Sequence, residues 1–215
     1  MEKYENAHRI IVETTHVATE PLGLALLPVD EPWPEGVLRP SQQGLKSTVC
    51  QWTNFARREG TVVGLGVEDI GCIPSAVAFG LKKLKDPNAI ANFFNDMGYA
   101  ATPEIAADIA KGLRPPITQP HKGILAFPLK AAPRDPDVIW VYGTPAQMTR
   151  LTIGLLHETG QVVPSMVAGG LSCRTGFVDE PFVVSPGRGE RLLAGTSPEE
   201  VFMALPGTML ETLLK

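Results

Sequence analysis

Proline is the feature that most limits what this chain can become. The 215 residues include 20 prolines and 21 glycines, spread along the whole length and never gathered into a linker. A proline locks φ and removes a backbone donor, whereas glycine opens turns closed to other residues. Distributed in this way they read as stiff turns within one compact fold. No internal repeat or block of like charge interrupts the pattern. The expectation is a single domain over 1–215, long enough to bury one sizeable core.

Between the turns, short apolar segments carry helical or strand-like patterning. Residues 3–18 read as a first helix with Tyr4, Ala7 and Ile11 on one side, and Leu22–Leu27 as a buried strand. Pro32, Pro34 and Pro40 make an extended loop around Trp33, which would anchor it to the core. Ser41 reads as the N-cap of a helix to about Glu59, stopped by Gly60. A strand over Thr61–Val67 follows. Its glycines Gly64 and Gly66, with Gly71 beyond, lack the spacing of a dinucleotide fingerprint.

Pro74 opens a helix to about Leu84, and further helices run from Asp86 to Met97 and from Thr102 to about Gly112. Gly123–Leu129 and Val138–Tyr142 read as strands whose link is short enough for an antiparallel pair. Thr144-Pro145 opens a helix to about Glu158, ended by Gly160. Phe182–Val184 is one more strand, and Ser197-Pro198-Glu199-Glu200 reads as a helix start. The fold class expected is α+β, a mixed sheet covered by helices.

Charge excludes some functions. A net charge of −4, from 19 basic and 23 acidic residues, offers no basic surface for nucleic acid. The N-terminal residues do not read as a signal peptide, and no apolar run is long enough to span a bilayer. Three cysteines are too few, and odd in number, for a secreted disulfide scaffold. The expected setting is a reducing cytoplasm, without membrane contact.

Those cysteines are the chemistry-bearing residues. Cys72, in Gly71-Cys72-Ile73-Pro74-Ser75, sits at the mouth of a helix, where free N–H groups favour a thiolate. Cys50 is placed inside a helix with Asn54 and Arg57 on the same side, and a nearby guanidinium would lower a thiol's pKa. Cys173 follows the glycine pair Gly169-Gly170. A last cluster, Ser185-Pro186-Gly187-Arg188-Gly189-Glu190-Arg191, reads either as a hairpin turn or as an anion site built on Arg188 and Arg191.

In order, Cys50-Gln51, Ala56-Arg57, Gly60, Cys72, Gly80-Leu81, Pro136-Asp137, Gln147-Met148, Gly169-Gly170, Cys173, Pro186-Gly187 and Arg191 resemble an uncharacterised family. It is catalogued as domain of unknown function 169, or archaeal cysteine-rich, and the resemblance covers roughly residues 20 to 207. It implies a further cysteine near Ser185–Arg188, which this chain lacks. It carries no reaction.

Three functions follow as expectations. Cys50, Cys72 and Cys173 would converge on an iron–sulfur cluster with one open iron, or on zinc with an open position, possible redox work included. Alternatively, Gly169, Gly170, Arg57, Arg188 and Arg191 would hold a small anion or carboxylate without turnover. A third reading makes Cys72 a nucleophile with His121 or His157 as base.

Overall fold

The computed structural model describes residues 2–112, 117–166 and 177–214. Among these, seven strands build one sheet: β1 (Leu22–Leu27), β2 (Val63–Gly66), β3 (Gly123–Pro128), β4 (Val138–Gly143), β5 (Ser165–Met166), β6 (Phe182–Val184) and β7 (Val201–Pro206). Their order is β2-β3-β1-β4-β7-β6-β5. Neighbours are antiparallel except β5 and β6, which are parallel. The fold is α+β, with a mixed sheet.

The strand sequences LGLALL, GILAFP and VIWVYG are apolar at every position, and every position is buried. Such runs need cover on both faces of the sheet. On one face Leu22, Leu24, Trp140, Tyr142 and Phe202 meet α2 (Val49–Glu59) and α3 (Ile73–Ala78). A short helix, α7 (Arg188–Leu193), lies beside α2. On the other face Ile139, Val141, Met203 and Leu205 meet α1 (Glu2–Thr15), α6 (Pro145–Thr159) and α8 (Leu210–Leu213). α4 (Ala89–Asp96) and α5 (Pro103–Gly112) form a pair with its own small core around Phe94. No described helix is long and apolar enough to cross a membrane.

Trp33 is the loop anchor that the prolines suggested. A Cβ at Gly64 or Gly123 would come within 2.7 and 2.4 Å of its indole, so both strands carry glycine where the ring crosses them. The Arg39 guanidinium stacks 4.2 Å above the ring.

Local patterning misleads at four points. β3 and β4 do not pair, because β1 lies between them and is antiparallel to each. The helix expected from Ser41 begins at Val49, with Thr48 as its cap; only Pro40–Gln43 forms a helical turn before it. The Arg188 turn is a helix and not a hairpin connector. Ser197–Glu200 opens no helix: the Glu200 carboxylate accepts from Ser197 N at 2.8 Å, as in a helix cap, and the chain then enters β7.

Candidate functional site

The late start of α2 brings two cysteines to comparable positions. Ser47 and Ile70 form a parallel bridge, with Ser47 N bonded to Asp69 O at 2.8 Å and Gly71 N to Ser47 O at 2.8 Å. That bridge stitches together the segments entering α2 and α3. Cys50 is in the first turn of α2, and Cys72 is the residue that caps α3, with extended φ and no side-chain cap bond. Both are free thiols, partly exposed, and near enough that charge on Cys72 bears on Cys50.

The environment of Cys50 opposes ionisation. Burial and then the Glu190 carboxylate push its pKa up to about 12, although Thr48 Oγ1 at 3.0 Å works the other way. Arg57 therefore does not activate this thiol, contrary to expectation. Its guanidinium is buried and engaged elsewhere. It forms a fork with Glu200 at 2.6 and 2.8 Å, and donates to Asn54 Oδ1 at 2.6 Å and Thr19 Oγ1 at 2.9 Å. It also stacks 4.1 Å from the Tyr142 ring. Burial raises the Glu200 pKa, but Arg57 outweighs this and holds it below the usual range.

α2 also fixes α7 in place. Gln51 Nε2 donates to Leu193 O at 3.1 Å and Asn54 Nδ2 to Thr196 Oγ1 at 2.8 Å. Glu190 thereby comes against the α2 face with its side chain buried, accepting from Gly187 N at 3.1 Å. Burial is the main reason its pKa rises to about 7. Tyr142, at the end of β4, is 1% exposed, and its hydroxyl has no hydrogen-bond partner among the described residues. Burial, then Glu190, drives its pKa well up. Displaced pKa values cluster at functional sites, and structural ion-pair networks such as Arg57 with Glu200 displace them as well.

The other expected site residues fare differently. Cys173, Gly169 and Gly170 lie outside the described residues. Arg191 is directed inward, donating to Ser197 O and to Glu200 O. Arg188 is exposed on α7. Gly187 N–H, which an anion at this turn would use, is bonded to Glu190. His157 is exposed on α6, across the sheet from Cys72. His121 donates Nδ1–H to Gln119 O at 2.7 Å.

Residues 10–215 match the uncharacterised ArCR family, domain of unknown function 169. The chain belongs to this ArCR family. Nothing among curated proteins or solved structures matches it. The family description assigns no activity, so the functional argument rests on the site. Glu190, Tyr142 and Glu200 were not singled out from the sequence. Glu190 had a visible signal, three residues after Gly187 as in a capping box. Tyr142 had only its alternation with Val138 and Trp140.

Proposed function

We propose that this ArCR-family protein holds a soft metal or iron–sulfur cofactor through Cys50 and Cys72, with Cys173 as the third thiolate. The observation that supports the reading is the bridge between the α2 and α3 entries, with Cys50 in the first turn of one helix and Cys72 capping the other. Among the described residues no group of three or more His, Cys, Asp or Glu is placed to hold a metal. A closed set therefore needs a ligand from the segment that carries Cys173.

The donor chemistry fits. Near Glu190 a Cys50 thiolate is costly on its own, and a bound cation supplies the charge that stabilises it. When bound, such a centre supplies electron transfer or Lewis acidity at an open position. The chain's residues do the rest. Thr48 bonds the Cys50 sulfur, the Ser47–Ile70 bridge ties the two helix entries together, and the Arg57–Glu200 fork anchors α2 to the segment that leads into β7. The catalytic-thiol reading needs a base beside Cys72, and it has less support because His157 lies across the sheet from that cysteine. Glu190 at Gly187 N–H likewise gives the anion reading less support.

The test is elemental analysis of protein purified without oxygen, beside the Cys50→Ser, Cys72→Ser and Cys173→Ser variants. Metal bound by wild type and lost from each folded variant supports the reading. Metal-free wild type, or variants that keep their metal, overturns it.

A further inference from the structure

The layer of helices on the far side of the sheet from the thiols holds a cleft that the cofactor reading does not use. It opens between α1, α6 and α8 and encloses about 460 Å³. Its walls are Ile10 and Ile11 from α1, Leu151 and Leu155 from α6, and Leu213 and Leu214 from the end of α8. Clefts of this size, apolar with a few polar groups that fix orientation, are the usual form of a small-molecule site.

Gly154 is the informative residue in that wall. It stands inside α6, where glycine is destabilising relative to alanine. Close packing can require such a glycine, but here a Cβ would meet no atom within 4 Å. Gly154 lines the cleft, so a large side chain at this position would occupy it.

Charge follows the same stripe of α6. Arg150, Gly154 and Glu158 are spaced at i, i+4 and i+8, which sets the two charges about 12 Å apart along the axis with the glycine between them. Arg9, Arg39, Arg57 and Arg134 each pair with a carboxylate. Arg150 donates only from Nη1 to Thr14 O, at 3.0 Å, and forms no ion pair among the described residues. Glu158, with His157 Nε2 at 3.9 Å, repels an anion at the other end.

We propose that this cleft binds a medium-chain aliphatic carboxylate, its head on the Arg150 guanidinium and its chain laid over Gly154 against Ile11, Leu151 and Leu213. A guanidinium takes a carboxylate through two parallel N–H···O bonds, and burial of the methylenes supplies the remaining affinity. Glu158 sets the direction, because a carboxylate at that end would face a like charge.

Calorimetric titration of the full chain with decanoate, below its micelle-forming concentration, tests this. Decanol and decylamine carry the same chain with no charge or the opposite one. The expected result is saturable binding of one decanoate per chain, with both controls at least tenfold weaker. Arg150→Gln should weaken decanoate at least tenfold and leave decanol unchanged. Gly154→Ala should melt at or above the wild-type temperature, and Gly154→Phe should fold and lose decanoate. No saturable binding to wild type overturns the proposal, as does a control that binds as tightly as decanoate. So does either Arg150→Gln or a folded Gly154→Phe that binds decanoate like wild type. A dimer that Gly154→Phe splits and decanoate leaves intact would also overturn it, since the cleft would then be an interface between two copies.

Discussion

The two faces of the sheet are built from the same strands and differ sharply in what they bury. Along β4, Ile139 and Val141 point to the α1–α6 face and Trp140 and Tyr142 to the α2 face. The α1–α6 face is an apolar interface of Tyr4, Ala7, Ile11, Met148, Leu151 and Leu155. Its buried Thr15 donates to the carbonyl of Ile11 in its own helix, at 2.6 Å. The α2 face buries Thr53, Asn54, Arg57 and Glu190, and at its rim two thiols. Burying polar and charged groups is costly unless each is matched. Here Arg57 is matched and Glu190 only in part. One face is secured by apolar packing, and the other carries buried polar and charged groups at a cost in stability.

Removing one side of the matched pair should have the largest effect. Arg57→Ala strands Glu200, and Glu200→Ala strands a fully buried guanidinium; each should lose about 3–5 kcal/mol in denaturant unfolding. Lysine at Arg57 should recover little, since it cannot reproduce the fork. Full recovery by lysine would show that only the charge matters.

On the opposite face, Leu155→Ala should cost roughly 3 kcal/mol as a cavity mutation. It should leave any bound metal unchanged. A linked loss of metal would mean that the faces are not separable.

Glu190 gives a pH signature with the reverse of the usual carboxylate sign. Its folded pKa of about 7 lies above the ordinary 4.5, so the folded state binds more protons between those values. Stability contributed by this group is present below 4.5 and falls as pH rises through 7, by roughly 3 kcal/mol at most. Glu190→Gln should flatten that slope in melting curves recorded across the window. An unchanged slope would place its origin elsewhere.

The smallest effect is at the α2 cap. Thr48 accepts from Gln51 N at 3.1 Å, so Thr48→Ala should cost about 1 kcal/mol. It also removes the bond to the Cys50 sulfur. Serine should restore both, and a failure of serine to do so would argue that the methyl group, and not the hydroxyl, holds the helix entry.

Much of the scaffold is legible in the sequence because it rests on local signals. Leu22–Leu27, the glycine stops at Gly60 and Gly160 and the Thr144 cap all follow from short-range patterning. The site is less legible because it depends on distant pairing. Ser197-Pro198-Glu199-Glu200 looks like a helix start, yet Glu200 is drawn to Arg57 and the following residues join the sheet beside β4. Cys50 looks like mid-helix until the Ser47–Ile70 bridge moves the helix start to Val49. Tyr142 looks like an ordinary strand aromatic. Only the placement of Arg57, Glu190 and α2 around it shows an unmatched hydroxyl.

X-ray absorption at the metal edge, on protein purified without oxygen, tests the central claim most directly. The account predicts bound metal whose first shell is dominated by sulfur, at about 2.3 Å if the metal is zinc. A shell of nitrogen and oxygen alone, or no metal at all, would contradict it.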